Sequence, residues 1–401
     1  MSVLRWSPRR RNLAVLLPLL LVGMVSALLI AIRSFPFPWI GLMAGAWCLW
    51  GGFVFRPWAR WGINLAVGLF TLAVLEASTP KNRPGVIRHT SLDVANAPFF
   101  TNEDLLGYVP RPNSRTRHRL TTNGRSSFDV VYTVDDQSLR VVVPPGSPAS
   151  DTIVFCGCSF TFGEGVEDDE SLPSQVAARR PDLRVLNFGF SGYGPHQMLA
   201  NLESERIGQI CGKAPRAVIY QMIPDHVRRV TGWIPYGEHS PRYEWIEGEV
   251  RRAGRLDDLS LARSLRMVLW KSRLFARYAA PRIRIPGELE LTTAIMERSA
   301  AEVARQFPGC EFHVLYWHEH PEILSIPLLN VLKKTGLKIH VVEDFAPELE
   351  IRTSRYRIPD DYHPSAAAYT RLADYVCREI LPPAQDGDSG STTEAATDAT
   401  P

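Results

Sequence analysis

Residues 151–382 of this 401-residue chain are predicted to form an α/β fold, a parallel sheet with helices on both faces. Membrane-spanning helices (1–79) and a small β-rich region (80–150) are predicted to precede it. Three observations predict this layout. From Asp151 onward, short apolar runs alternate with helical repeats, the pattern of parallel strands joined by helical crossovers. Residues 12–80 carry few charges and most of the long apolar runs. Between these parts, strand-like runs alternate with turn residues.

The first apolar run, NLAVLLPLLLVGMVSALLIAI (12–32), has no charge and reaches the roughly 20 residues that cross a bilayer. A signal peptide is the rival reading, but its apolar region is usually shorter and ends at a small-residue cleavage site. PWIGLMAGAWCLWGGFVF (38–55) and WGINLAVGLFTLAVL (61–75) follow. The third is short and would need tilt or local thinning. Arg5, Arg9, Arg10 and Arg11 favour a cytoplasmic N-terminus, as do Arg56 and Arg60 for the second loop. Three spans then deliver the large domain to the outer side of a bacterial inner membrane, whereas two would leave it cytoplasmic. Lys81, Arg83 and Arg88 argue mildly against the outer side.

A net charge of +3 gives no electrostatic case for nucleic acid. Six cysteines are scattered rather than arranged as a disulfide framework, although a Cys211–Cys310 bridge is open in an oxidising compartment.

In the β-rich region, HRLTTNG (118–124) and DVVYTVDDQSLRVVV (129–143) read as strands, PPGSP (144–148) as the close, and DLLGYVPRPNS (104–114) as loop. In the following domain DTIVFCG, LRVLNFGFSG, RAVIYQMI, EFHVLYWHE and LKIHVVE read as successive strands. LPSQVAARR, PHQMLANLESERIGQI, ELTTAIMERSAAEVARQF (290–307), a segment near 322–335 and PSAAAYTRLADYVCREIL (364–381) read as helices. An insertion at about 227–288 carries the basic amphipathic helix SLARSLRMVLWKSRLFARYAA (260–280). It could lie on an anionic membrane surface, or pack on its own domain through Leu261, Leu265, Leu269 and Tyr278. The tail, 383–401, lacks apolar runs and reads as disordered.

Ser159 directly follows the first strand, in FCGCSFTFGEG (155–165), at the strand end where ligands bind in such sheets. A serine hydroxyl needs a base to become a nucleophile. His363, before the last helix in RIPDDYHPSAAAYTRLADYV, is the candidate base. Asp360, three residues earlier, is the candidate orienting acid, and Asp361 its competitor. Cys156 and Cys158 read as packing residues on one side of a strand, since no Cys/His set with matching spacing supports a metal. A thiol nucleophile at Cys158, paired with His363, is the remaining alternative for this stretch.

Across about 151–380 the chain resembles the SGNH/GDSL hydrolases. Gly157-Cys158-Ser159-Phe160-Thr161-Phe162-Gly163 matches their G-D-S-x-T-x-G-like block. Asn187, Gly189 and Gly192 match N-x-G-x-x-G, and Asp360, His363 and Pro364 match D-x-x-H-P. The resemblance implies a flavodoxin-like three-layer α/β/α domain, with Ser159 as nucleophile, His363 as base and Asp360 as its orienter. It also implies oxyanion contacts from the Ser159 and Gly192 amides. Two departures stand out. Cys158 replaces the aspartate before the serine, and YQMIPDH (220–226) replaces the G-x-N-D block. Pro224 stands where an asparagine would donate to the oxyanion, and proline has no donor. Asp225 matches the block's aspartate, and His226 is the candidate substitute donor. Tyr193 and His196 are candidate pocket residues.

The expected function is a membrane-anchored serine esterase acting on an acylated small molecule or envelope glycan, without cofactor or metal. The expected partners are that substrate and the lipid bilayer, with no nucleic acid. An acyltransferase with the same triad, and a non-catalytic glycan- or protein-binding module, are the rivals. Loss of the block-three asparagine favours the last of these.

Overall fold

A computed structural model describes residues 42, 44–48, 59–79, 85–148, 150–237, 239–258, 260–318, 323–349, 355–361 and 363–382. The first expected span, 12–32, and the tail, 383–401, lie outside the described residues. So does most of the second span.

Helix α1 is Ala59–Ser78. Strands β1 (Gly85–Ser91), β2 (Phe100–Glu103), β3 (Gly107–Pro110), β4 (Ser114–Thr122) and β5 (Arg125–Val134) make up the β-rich region. Then come β6 (Asp151–Gly157), α2 (Ser159–Phe162), α3 (Leu172–Arg179), β7 (Leu183–Asn187), α4 (Pro195–Glu203), α5 (Arg206–Cys211) and β8 (Ala217–Met222). The chain continues through α6 (His226–Val230), β9 (Pro241–Ile246), β10 (Glu249–Arg255), α7 (Ser260–Trp270) and α8 (Glu288–Gln306). It ends with β11 (Glu311–Tyr316), α9 (Ser325–Leu332), β12 (Lys338–Val341), α10 (Val342–Phe345) and α11 (Ala366–Tyr375).

Five strands form a parallel sheet in the order β12-β11-β8-β6-β7. Numbered within the domain, this is the flavodoxin-like order 2-1-3-4-5, whose switch point lies between β6 and β8. Strand residues alternate between two cores. Ile153, Phe155 and Ile219 pack with Leu172 of α3 and Leu372 of α11. Val154, Cys156 and Tyr220 pack with Met198 of α4 and Met296 of α8. Helices therefore cover both faces, as the alternation of runs predicts.

The β-rich region shares the first of these cores through Phe99, Leu106, Phe128 and Tyr132. Its three-stranded antiparallel sheet, β1-β4-β5, meets the parallel sheet at Arg140, which bridges to Val134 and to Asn187. The stretch 104–114 is only partly loop, because Gly107–Pro110 pairs with β2.

Among the described residues no helix is long and apolar enough to cross a membrane. The third apolar run is helical, as α1, and ends in a polar anchor. Its buried Glu76 accepts from the Ser272 hydroxyl (2.7 Å) and from the amides of Arg273 and Leu274 (3.1 Å to the latter). That carboxylate caps a new helical start and breaks the expected 260–280 helix after Trp270. Leu265 and Tyr278 are exposed, so they do not pack this segment on its own domain. The insertion also holds the hairpin β9–β10, which the sequence reading lacked.

Candidate active site

Strand β6 ends at Gly157, whose φ is +149°. A Cβ there would come within 2.3 Å of Thr161 Oγ1, so only glycine lets the backbone turn this tightly into α2. Cys158 follows the turn, and Ser159 opens the helix, 5% exposed. The turn also separates the two cysteines, since Cys156 joins the α4/α8 core and Cys158 the α3/α11 core. They do not share a side, because the strand stops between them. Burial raises both thiols, which leaves them as packing groups.

Buried side chains from several elements fix α2. Tyr369 of α11 donates its hydroxyl to the Phe160 carbonyl (2.7 Å). The Gln221 amide donates to the same oxygen at 3.3 Å and accepts from Trp317 Nε1 at 3.2 Å. Asn187, at the end of β7, donates to the Thr161 carbonyl (3.0 Å) and accepts from the Gly189 amide (3.0 Å). The Phe190 amide donates to the Gly157 carbonyl at 3.3 Å, which runs the loop after β7 alongside Ser159. Gly192 in that loop has φ +82°. A Cβ on it would meet the Tyr108 hydroxyl at 2.5 Å and the Tyr236 ring at 3.2 Å. Within the described residues neither the Ser159 nor the Gly192 amide donates inside the chain.

His363 comes from the loop before α11. Its ring tilts against Phe160, with centroids 5.6 Å apart. Its Nδ1 lies 2.7 Å from Asp361 Oδ1. The partner is thus Asp361, not the expected Asp360. Asp360 adopts a left-handed φ of +58° and is exposed, so the turn directs one carboxylate outward and the next onto the imidazole. Pro364 precedes the helix rather than opening it, because Ser365 caps α11 and accepts from the Ala368 amide.

The other ring nitrogen, Nε2, stands 3.9 Å from Glu164 Oε2. Among the described residues no hydrogen bond joins it to Ser159. Glu164 follows α2 and accepts from the Ser191 hydroxyl at 2.6 Å. Burial alone would lower the His363 pKa, but Glu164 and Asp361 raise it above 6.5. Glu164 responds in the opposite sense. Burial would raise its pKa, but the charges of His363 and His118 bring it below 4.5.

The remaining expected site residues divide. Asp225 accepts from Arg229 Nε (3.1 Å) and lies 3.5 Å from the Tyr236 hydroxyl. Tyr193 is a strut, its buried hydroxyl donating to the Tyr108 carbonyl at 2.6 Å. His226 is fully buried, with Nδ1 2.9 Å from the Tyr220 hydroxyl. Burial pushes its pKa well down, and nothing of the ring is exposed to a substrate, so the expected donor role is not met. His196 is likewise buried, its pKa pushed down to about 3 by burial and the Arg229 charge. Sequence reasoning missed Glu164, Arg229, Tyr108 and Tyr236. Glu164 did leave a trace, a single charge between two glycines directly after the nucleophile block. Tyr108 gave none, because it enters from β3, and its hydroxyl donates to the Ser191 carbonyl at 2.9 Å.

No family model matches the chain, and no curated protein matches it in sequence. Solved structures similar to it include a protein assigned to the lipolytic G-D-S-L family from Desulfitobacterium hafniense DCB-2. That pair is 13% identical, with 57% of this chain and 98% of that one covered and a TM-score of 0.34. A catalytic mutant of an acetylxylan esterase from Geobacillus stearothermophilus is 16% identical, with 59% and 95% covered and a TM-score of 0.34. The psychrotrophic esterase EstA from Pseudoalteromonas sp. is 13% identical, with 56% and 93% covered and a TM-score of 0.32.

Proposed function

We propose that this chain is a serine ester hydrolase of the SGNH type, attached to a membrane, that removes an acyl group from an ester, with acetylated envelope glycan as the first candidate substrate. One observation carries the reading: Ser159 opens a helix at the sheet's switch point, and an imidazole oriented by a carboxylate packs on the next residue, Phe160. The Ser159 hydroxyl would attack the ester carbonyl carbon while His363 Nε2 takes its proton. Asp361 would hold the ring and stabilise the imidazolium. The proton then passes to the departing alcohol, and water resolves the acyl-enzyme by the reverse sequence. For this, Nε2 must turn from Glu164 to Ser159, a contact that often tightens only when substrate is bound.

The test uses the full-length chain in detergent, a fluorophosphonate probe and p-nitrophenyl acetate. Wild type should label and hydrolyse, while Ser159→Ala and His363→Ala should do neither. A folded wild type that stays unlabelled removes the hydrolase reading and favours a binding module, for which Pro224 is the supporting feature.

The apolar runs at 12–32 and 38–55 support membrane attachment, as do exposed Ile63, Leu65, Val67, Leu72, Val74 and Leu75 on α1. An envelope glycan further requires the domain on the outer side. Protease added to spheroplasts should then digest it, and full protection would exclude that substrate.

A further inference from the structure

The proposed hydrolysis needs donors for the oxyanion, and Pro224 removes the side-chain donor expected from block three. We propose that Arg229 supplies it: its guanidinium would bind the oxyanion together with the amides of Ser159 and Gly192. This assignment rests on the hydrolase reading above.

Arg229 lies on α6, in the turn that follows β8, and is 6% exposed. Two contacts aim it. Its Nε donates to Asp225 Oδ2 at 3.1 Å, and its Nη1 donates to the Tyr193 carbonyl at 2.7 Å. The second contact ties the guanidinium to the residue after Gly192. These acceptors take two of the five N–H donors of an arginine, and the Tyr236 hydroxyl and the Cys158 thiol also lie within hydrogen-bonding reach of the guanidinium. Its charge acts on Cys158 before Ser159, on Tyr108 and Tyr236 over Gly192 and on His363, as well as on buried His196, His226 and Tyr220 behind it.

Arg140, the other buried arginine beside α2, cannot serve. Its nitrogens donate to the carbonyls of Phe162, Gly163 and Val166 and to Asp168. Arg229 thus stands on the side of the β7 loop where a block-three donor is needed, carried by a different residue four places beyond Asp225.

The chemistry follows. As Ser159 Oγ bonds to the carbonyl carbon, the carbonyl π pair moves onto oxygen. Arg229 then donates to an anion rather than to a neutral carbonyl. The interaction strengthens in the transition state, so it acts on kcat more than on KM. When the carbonyl re-forms, the C–O bond to the alcohol breaks, and the alcohol leaves with the proton held by His363.

The experiment compares full-length wild type, Arg229→Gln and Arg229→Lys, each normalised to the fraction of folded, titratable Ser159. For Gln, kcat toward p-nitrophenyl acetate should fall on the order of 100- to 1,000-fold, with KM within about threefold. Inactivation by the fluorophosphonate, whose tetrahedral adduct carries the oxygen in place of the oxyanion, should slow in parallel. Lys keeps the charge but not the fork, so it should lose on the order of tenfold. If Gln does not fold, a folded Lys variant decides, and wild-type kcat in it overturns the assignment. A folded Gln variant with kcat within about threefold of wild type also overturns it. A wild type that neither hydrolyses nor labels overturns the hydrolase reading, and this assignment falls with it.

Discussion

The two sides of helix α2 use buried charge in opposite ways. On one side Arg140, 1% exposed, bonds to three carbonyls and to Asp168, with its guanidinium 4.5 Å from the Tyr132 ring centroid. Asp168 in turn accepts from the Thr133 amide, so β5, α2 and the loop after it are locked together. Four of the five N–H donors of Arg140 are engaged there inside the chain. On the other side His363 Nε2 makes no hydrogen bond among the described residues and stands 3.9 Å from Glu164, which accepts from Ser191, while Arg229 donates to Asp225 and Tyr193. A saturated network holds a backbone in place, whereas an unsaturated one can exchange partners with a substrate. The difference separates scaffold from site more clearly than burial does, because both arginines are buried.

The largest expected effect lies on the unsaturated side. Asp361→Asn should lower kcat/KM on the order of 10,000-fold, since an amide favours the wrong imidazole tautomer. Asp360→Asn should leave the rate within about threefold, because its exposed carboxylate does not touch His363. Steady-state kinetics on the two variants decide the acid. Equal losses would mean that the loop rearranges when substrate binds.

The saturated side should answer in stability rather than chemistry. Arg140→Met strands Asp168 and three carbonyls, so unfolding should become easier by about 3–5 kcal/mol. Per folded molecule, the pH–rate profile should stay as in wild type. Denaturant unfolding measures the first quantity and active-site titration the second. A shifted profile in folded protein would break the comparison, because Arg140 would then reach the chemistry.

Much of this layout was legible in the sequence. The alternation of apolar runs and helical repeats forecast a parallel sheet, and Ser159 was legible at the carboxyl end of its first strand. The spacing between aspartates and His363 was not enough to choose between adjacent carboxylates. That choice rests on one left-handed residue, Asp360, whose φ of +58° no pattern encodes. Arg229 escaped for a related reason, since its reach depends on how α6 leaves β8 after Pro224. The β9–β10 hairpin did carry a signal. Glu247 and Gly248 both have positive φ, at +55° and +82°, and their Glu-Gly pair sits between alternating runs rich in charge. The charges concealed a short two-stranded ribbon.

The smallest effect sharpens the comparison, because it moves a profile rather than removing activity. His363 must be neutral to accept the Ser159 proton, so kcat/KM rises with pH through the His363 pKa. Glu164 and Asp361 hold that pKa above 6.5, while the Arg229 charge and burial work against them. His118 also lies in this field, its own pKa pushed down to about 4 by burial. Glu164→Gln keeps an acceptor for the Ser191 hydroxyl but removes one anion beside the imidazolium. The acidic limb of kcat/KM should therefore move to lower pH, with the plateau little changed. Stability carries the matching signature. A His363 pKa raised by folding stabilises fully below 6.5, and that contribution is lost as pH rises through the folded value. The depressed Glu164 contributes above 4.5 and loses its share as pH falls through its own folded value. The pair thus stabilises most between these limits, and melting temperatures of the Gln variant should fall furthest below wild type there. An unmoved limb and a uniform melting difference would mean that Glu164 only supports Ser191. The unsaturated side would then lose one of its three charged groups.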